Sequence, residues 1–309
     1  QRLQFRRLGL SDETLVSLYE RLLFPRMIEE KMLILLRQNK ISKWFSGIGQ
    51  EAVSVGLAAA LQLEDYIYTL HRNLGVFTTR DVSLQQLMCQ WQGKPCGFTQ
   101  GRDRSFHFGT PQHRIIGMIS HLGAMLGVAD GTSLAAKLKG ESFISAVFSG
   151  DGGTSEGDFH EAINVAAVWD LPVLFIIENN GYGLSTPSSE QFRCKQFIDK
   201  AIGYGIEAVQ VEGNNVVEVY TKALEAARHV RETGQPLIFE ALTFRRRGHE
   251  EASGTKYVPT DLMAYWEALD PIDTYEAFLQ AEGVLSPEDN EATLKRFKTS
   301  INESLKAAE

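Results

Sequence analysis

The centre of the chain alternates between short apolar runs and a segment with helical spacing. Residues 142–149 and 173–177 are apolar and rich in β-branched and aromatic residues, and residues 158–169 between them carry apolar side chains at helical intervals. A strand, a helix and a strand in this order form a βαβ unit, in which both strands lie parallel in one sheet. This unit predicts an α/β fold and constrains everything packed around it.

The same pattern continues after the central unit. Two further β-rich runs, at 208–211 and 237–242, are separated by a helical segment over 216–230 that is long enough for a crossover connection. We therefore predict a largely parallel sheet that is flanked by helices.

Both ends of the chain have helical patterns. Ser11 is placed to cap the first helix, and Pro25 is expected to kink it. Near the other end, Ser286 begins a capping sequence ahead of the last helix. The predicted parts are a helical N-terminal arm, a central α/β domain and a helical C-terminal segment, over residues 1–48, 49–260 and 261–309.

Composition excludes several classes of partner. The formal net charge of −8 argues against a surface for nucleic acid or an anionic membrane, because neither would attract an acidic protein. No apolar run is long enough for a membrane span. The three cysteines, Cys89, Cys96 and Cys194, are too scattered for a disulfide framework, which favours a cytoplasmic location, or the mitochondrial matrix in a eukaryote.

Polar residues follow the two central strands where each one ends. Asp151, Gly152 and Gly153 come directly after the first strand, and Asn180 and Tyr182 come after the second. Ligands bind at this edge of an open α/β sheet. A carboxylate, an amide oxygen and a backbone carbonyl suit a hard cation, and glycines let a diphosphate approach the backbone. Alone, Gly150-Asp151-Gly152 is an ordinary strand-to-helix turn; its pairing with Asn179-Asn180 across one βαβ unit favours a ligand site.

The spacing of these two motifs resembles the thiamine diphosphate fingerprint. The resemblance extends in order over roughly residues 12–285, and it is to the alpha subunits of 2-oxo acid dehydrogenases. Residues 179–191 are most similar to the branched-chain enzymes, and the pyruvate enzymes come next. The other segments that carry the resemblance are 49–56, 65–72, 101–107 and 248–249.

The resemblance implies that thiamine diphosphate and magnesium are bound here. Asp151, Asn180 and the Tyr182 carbonyl would hold magnesium, and the planar guanidinium of Arg72 would bind the diphosphate. His71 stands beside it where the family commonly has tyrosine. The remaining implied cofactor contacts are Gly152, Gly153 and, against the aminopyrimidine, Ile116.

Two histidines match active-site positions of the family, His249 and His107. An imidazole near neutral pH can donate to a developing oxyanion or exchange a proton with it. The alternative for each is an ordinary surface histidine. The adjacent run 245–247, three arginines, is either a solvated patch or a source of positive charge near the diphosphate.

The implied function is decarboxylation of a 2-oxo acid, branched-chain first and pyruvate second, with acyl transfer to the lipoyl domain of an acyltransferase. A beta subunit, or a fused beta half, would supply the activating glutamate. The complex would be a heterotetramer, with the helix over 49–61 and the helical ends among its contacts. Alternatives are the alpha subunit of an acetoin dehydrogenase and a non-catalytic module that binds a phosphate or nucleotide; a chain of 309 residues leaves no room for a transketolase.

Overall fold

A computed structural model describes residues 3–103 and 105–309. Within this part of the chain, six strands form one sheet in the order β2-β1-β3-β4-β8-β7, with every neighbouring pair parallel, while β5 and β6 form a small antiparallel ribbon. The strands are β1 (Tyr66–Tyr68), β2 (Ile115–Ile116), β3 (Ser145–Gly150), β4 (Val173–Asn179), β5 (Tyr182–Gly183), β6 (Thr186–Pro187), β7 (Glu207–Glu212) and β8 (Leu237–Leu242).

Helices cover both faces of the sheet and extend from its ends. They are α1 (Asp12–Arg37), α2 (Glu51–Ala60), α3 (Leu74–Thr79), α4 (Leu84–Trp91), α5 (Ala124–Lys139), α6 (Gly157–Trp169), α7 (Ile198–Tyr204), α8 (Val216–Thr233), α9 (Thr260–Glu267), α10 (Pro271–Ala281) and α11 (Pro287–Ala307).

The predicted βαβ unit is confirmed as β3, α6 and β4. The two strands pair in parallel from Ser145 opposite Val173, and nearly all of their residues are buried. Burial on both faces explains why these runs are continuously apolar rather than alternating. The crossover helix α8 and the strands β7 and β8 also match the predicted segments, so the largely parallel sheet is confirmed.

Two apolar layers hold the sheet. One layer joins α2, α4 and α8 to the face of the sheet that carries Phe148 and Ile176, and the other joins α5, α6 and α7 to the face that carries Val147 and Phe175. All residues of α2 except Ala59 are buried inside the chain itself. The prediction that the helix over 49–61 contacts another subunit is therefore wrong, because its surface is already covered.

The N-terminal arm packs against the C-terminal helices. Ser11 caps α1 by accepting a hydrogen bond from the Thr14 amide at 3.2 Å, and Pro25 lies inside this helix without ending it. Apolar residues of α1 and α10, among them Leu18 and Tyr275, form a third cluster. The division of the chain at residues 48 and 260 stays a prediction.

The cysteine prediction is wrong. Cys89 in α4 and Cys96 in the following loop form a disulfide, with their Cα atoms 5.5 Å apart, and Cys194 is free. Seven residues of separation suffice because the chain turns back directly after α4. Cysteine usage therefore gives no support to a reducing compartment, and the cytoplasmic location stays a prediction. In the described ranges, no helix is both long and apolar enough to cross a membrane.

The cap of the last helix gives a stability prediction. Ser286 Oγ accepts a hydrogen bond from the Asp289 amide at 3.0 Å, as its sequence pattern predicts. Replacing Ser286 with alanine should lower the free energy of unfolding by about 1 kcal/mol, because that amide loses its partner. Ser304→Ala in the last turn of the same helix is the control, and alanine there should be neutral or stabilising. Urea denaturation of both variants checks the contrast; equal effects would contradict it.

Candidate active site at the carboxyl edge of the sheet

A cavity of about 690 Å³ lies at the carboxyl ends of the central strands. It brings together nearly all of the residues that the sequence predicts for the site, although they come from five separate segments of the chain. Those that line it are His71, Arg72, His107, Asp151, Gly152, Gly153, Asn180, Tyr182 and His249. The parallel sheet is responsible, because it places the ends of β1, β3, β4 and β8 on one edge.

The oxygen ligands predicted for a cation lie at the ends of β3 and β4. The side chain of Asp151 is almost fully buried, and Ser188 Oγ donates to one of its carboxylate oxygens at 2.7 Å. Burial raises the pKa of Asp151, while the hydrogen bonds from Ser188 and from backbone amides lower it. The amide oxygen of Asn180 turns toward the Tyr182 amide, 3.2 Å away. Hard oxygen donors of this kind are the ligands that a divalent cation such as Mg²⁺ prefers.

Two glycines keep the backbone near Asp151 accessible. A Cβ on Gly152 would come within 3.0 Å of the Gly183 Cα, and one on Gly153 within 2.6 Å of Ser149 Oγ. A side chain at position 152 would press against β5, and one at position 153 would press against the Ser149 side chain at the end of β3. Because neither glycine has a side chain, a ligand can approach the backbone amides of this turn.

Arg72 brings positive charge into the cavity. Its guanidinium is buried and donates to the Ser46 carbonyl at 3.1 Å and to the His249 carbonyl. Burial and the nearby Arg245 lower the pKa of Arg72 to about 9. Two buried guanidiniums next to each other repel, so a negatively charged ligand beside them would relieve that repulsion.

The three arginines at 245–247 have different roles. Arg245 faces the cavity and donates to the Leu184 carbonyl at 2.8 Å and to the hydroxyl of Tyr257 at 2.7 Å. Arg246 pairs with Asp270, and Arg247 pairs with Glu251. Within the described ranges, neither Arg72 nor Arg245 forms an ion pair with a carboxylate. Of the three arginines, Arg246 and Arg247 are therefore compensated by carboxylates, and only Arg245 is a source of unpaired positive charge at the site.

His249 sits between the two guanidiniums. Its Nδ1 lies 3.1 Å from a nitrogen of Arg72 and 3.4 Å from one of Arg245. Partial burial, followed by these two positive charges, lowers its pKa to about 4. The imidazole is therefore neutral at pH 7, with Nδ1 placed to accept a hydrogen bond from an arginine.

His71 and Phe45 close the wall beside His249. The His71 ring is half-buried, lies 5.6 Å from the His249 ring, and has a buried Nε2 without a hydrogen-bond partner in the described part of the chain. Phe45 packs edge-on against both histidines. An unpartnered buried nitrogen is costly, and a polar ligand in the cavity would satisfy it.

His107 lies across the cavity in a more exposed position. Its Nε2 is 2.8 Å from Ser120 Oγ, and its Nδ1 is 3.3 Å from a carboxylate oxygen of Asp103. Both contacts are to residues outside helices and strands, so loops rather than a strand of the sheet position this imidazole. A histidine that is fixed on both ring nitrogens is oriented but must release one contact to bind a substrate.

The sequence reasoning differs from the structure at two positions. Ile116 is partly buried in the apolar layer below the cavity and is not among its lining residues, whereas Met118 and Ile119 are. Glu178 was missed: it is buried near the end of β4, lines the cavity and accepts from Asn73 Nδ2 at 2.9 Å. Burial raises its pKa to about 7. An acidic residue in an otherwise apolar strand was the available signal.

The depressed pKa of His249 gives a prediction on acid stability. Between pH 6.5 and about 4 the unfolded imidazole binds a proton while the folded one does not, so stability is lost as the pH falls through this window. His249→Asn should therefore lose stability less steeply on acidification than the wild type, and their difference should be constant above pH 7. Urea titrations at several pH values measure this; parallel curves would contradict it.

Comparison with known proteins agrees with the geometry. The model of the family described as "Dehydrogenase E1 component" matches residues 19–309. The chain is 35% identical to 2-oxoisovalerate dehydrogenase subunit alpha of Bacillus subtilis (strain 168), over 98% of this chain and 92% of that protein. It is 32% identical to the mitochondrial human 2-oxoisovalerate dehydrogenase subunit alpha, over 97% and 68%, and 31% identical to the Arabidopsis thaliana subunit alpha 2, over 97% and 64%. The chain belongs to the dehydrogenase E1 component family.

Proposed function

We propose that this chain is the alpha subunit of a 2-oxo acid dehydrogenase that acts on branched-chain 2-oxo acids, with pyruvate as the second choice of substrate. Membership of the E1 family makes the chain part of an oxidoreductase. The observation that carries the proposal is the pair of buried guanidiniums, Arg72 and Arg245, that face one cavity without a carboxylate partner in the described residues. Two guanidiniums that lie together at one wall of this cavity, each beside His249, favour an anionic ligand there.

The residues present fit thiamine diphosphate, the cofactor of this family, with magnesium. Arg72 and Arg245 would offset the diphosphate charge, and Asp151, Asn180 and the Tyr182 carbonyl would hold the metal ion. The unpartnered Nε2 of His71 offers a further donor or acceptor at the same wall. When bound, the cofactor supplies the nucleophilic carbon and the electron sink for decarboxylation.

The protein side chains orient the substrate and handle its protons. His249, neutral at pH 7, can exchange a proton with the 2-oxo group, and His107 can do the same from the loop opposite. The two arginines next to His249 favour negative charge on a reacting oxygen. Apolar side chains offer a surface that suits a branched substrate and support the branched-chain assignment; they are Leu70, Met118, Ile119, Leu122, Met125 and Leu126.

Alpha subunits of this family work with a beta subunit. We propose that the beta subunit supplies the glutamate that activates the cofactor, that the two chains form a heterotetramer, and that the lipoyl domain of an acyltransferase accepts the acyl group. The cavity supports this because each carboxylate that lines its described part is already engaged: Asp151 with Ser188, Glu178 with Asn73, and Asp103 with His107. A base for the opposite end of the cofactor must come from elsewhere.

Calorimetric titration with thiamine diphosphate and magnesium tests the proposal, first with the purified chain and then with its cognate beta chain. The mixture is then assayed for decarboxylation of 2-oxoisovalerate and pyruvate. We expect magnesium-dependent binding, activity only with the beta chain, and a higher kcat/KM for the branched substrate. Binding of a mononucleotide in preference to thiamine diphosphate would favour a phosphate-binding module instead.

A further inference from the structure

A second groove lies on the outer face of the molecule, between α5 and α6. Its volume is about 460 Å³, and its walls include Gly127 and Gly131 from α5 and Trp169 from α6. A Cβ placed on either glycine would meet nothing within 4 Å, so the backbone of α5 is open to an approaching chain. The Trp169 side chain is 52% exposed at the edge of the groove. This groove has the shape of a contact surface.

The floor of the groove holds a buried carboxyl group, that of Asp130. Asp130 is only 5% exposed, and its Oδ1 has no hydrogen-bond partner within residues 3–103 and 105–309. It lies on the inward face of α5 with Leu126, Ala129 and Ser133. Burial alone raises its pKa to about 8, since no cation or donor offsets the loss of water. A buried carboxyl group in this state costs free energy that a partner can recover.

The charge of the groove selects its occupant. Two further acidic residues, Asp158 and Glu161, line it, and its described lining contains no lysine, arginine or histidine. A second copy of this chain would place these carboxylates against each other, and the whole chain is already acidic with a net charge of −8. A different chain that presents a basic side chain is complementary.

We propose that this groove docks a segment of the beta subunit in which a lysine or arginine pairs with the Asp130 carboxylate. The aliphatic stem of that side chain would lie along Gly127 and Gly131, and Trp169 would cover it from one side. This proposal rests on the proposed function, because it takes the beta subunit as the partner. The groove between α5 and α6 would then be a contact surface for the other subunit in place of α2, which is buried within the chain.

The test uses Asp130→Asn, with Glu161→Gln as the matched control from the exposed rim of the same groove. Asp130→Asn should leave the isolated chain at least as stable as the wild type, because the Oδ1 of Asp130 has no hydrogen bond there, within the described residues, that the substitution would break. Its affinity for the beta chain should fall by at least ~30-fold, because the partner's cation loses its counter-charge. Glu161→Gln should change the affinity by less than ~5-fold, as rim charges do. Thermal unfolding and calorimetric titration against the beta chain measure these effects.

A bulky substitution in the groove tests the proposed docking independently of charge. Gly131→Phe should fold, since the space above this glycine is open, and should block docking. Wild-type affinity in both Asp130→Asn and Gly131→Phe would overturn the proposal, as would a parallel loss of stability and affinity in Asp130→Asn. At saturating beta chain, Asp130→Asn should reach wild-type decarboxylation. If the wild-type pair binds no thiamine diphosphate, the proposed function fails; if it does and the variants still dock, only the groove assignment fails.

Discussion

Replacing Asp151 with asparagine is expected to abolish magnesium-dependent binding of thiamine diphosphate and to lower decarboxylation on the order of 1000-fold. Asp151 is the one carboxylate among the three predicted metal ligands, and an amide removes its negative charge while keeping its size. The side chain is almost fully buried, so no water-exposed group can replace it. The measurements are the calorimetric titration with magnesium and cofactor and the steady-state rate with the beta chain present.

Asp261→Asn is the control for this substitution. Asp261 is exposed in the first turn of α9, away from the cavity, and the same chemical change there should leave the rate within about twofold. Far-ultraviolet circular dichroism and thermal unfolding establish that both variants fold. Undiminished cofactor binding in a folded Asp151→Asn variant would contradict the metal assignment at the end of β3.

Replacing Arg245 with glutamine is expected to weaken thiamine diphosphate binding by about 100-fold and to leave the free chain equally stable or more stable. The two effects have opposite signs for one reason. Burial and repulsion from Arg245 lower the pKa of Arg72 in the free chain, and both guanidiniums would attract the diphosphate once it is bound. Calorimetry gives the first effect and urea denaturation the second.

Arg247→Gln is the control, because Arg247 pairs with Glu251 and is already compensated. It should change the cofactor affinity by less than about fivefold. High salt should weaken binding to the wild type more than binding to Arg245→Gln, since one charge contact is missing in the variant. A variant at position 245 that loses stability but keeps its affinity would show that this arginine has only a structural role.

Strong periodic signals explain which parts of the fold were predictable. The strands β3, β4 and β8 are long apolar runs, and the crossover helices carry clear apolar stripes, so their order and direction follow from the sequence. The strands β1 and β2 are three and two residues long and give no periodic signal. The helix α5 is rich in glycine and alanine and holds a buried aspartate, so an amphipathic pattern is absent.

The site was predictable where a motif fixes a residue and unpredictable where only geometry does. Asp151 and Asn180 follow apolar strands directly, so a parallel sheet must bring them together. The three arginines at 245–247 are identical in sequence, and only the path of the loop after β8 separates Arg245 from its neighbours. Cys89 and Cys96 likewise depend on a turn that composition does not reveal.

The order of strands in the sheet also sets the order of events during synthesis. β4 pairs with β8, in the register Leu174 opposite Leu237, so a long intervening segment must be made before the central sheet is complete. Non-local parallel pairing of this kind is slow, and the unpaired edge of β4 is exposed to aggregation until β8 arrives. A ribosome-bound chain that ends before residue 237 contains Asp151 and Asn180 but lacks Arg245. Such a nascent chain should not retain thiamine diphosphate, and cofactor capture should mark the completion of the sheet.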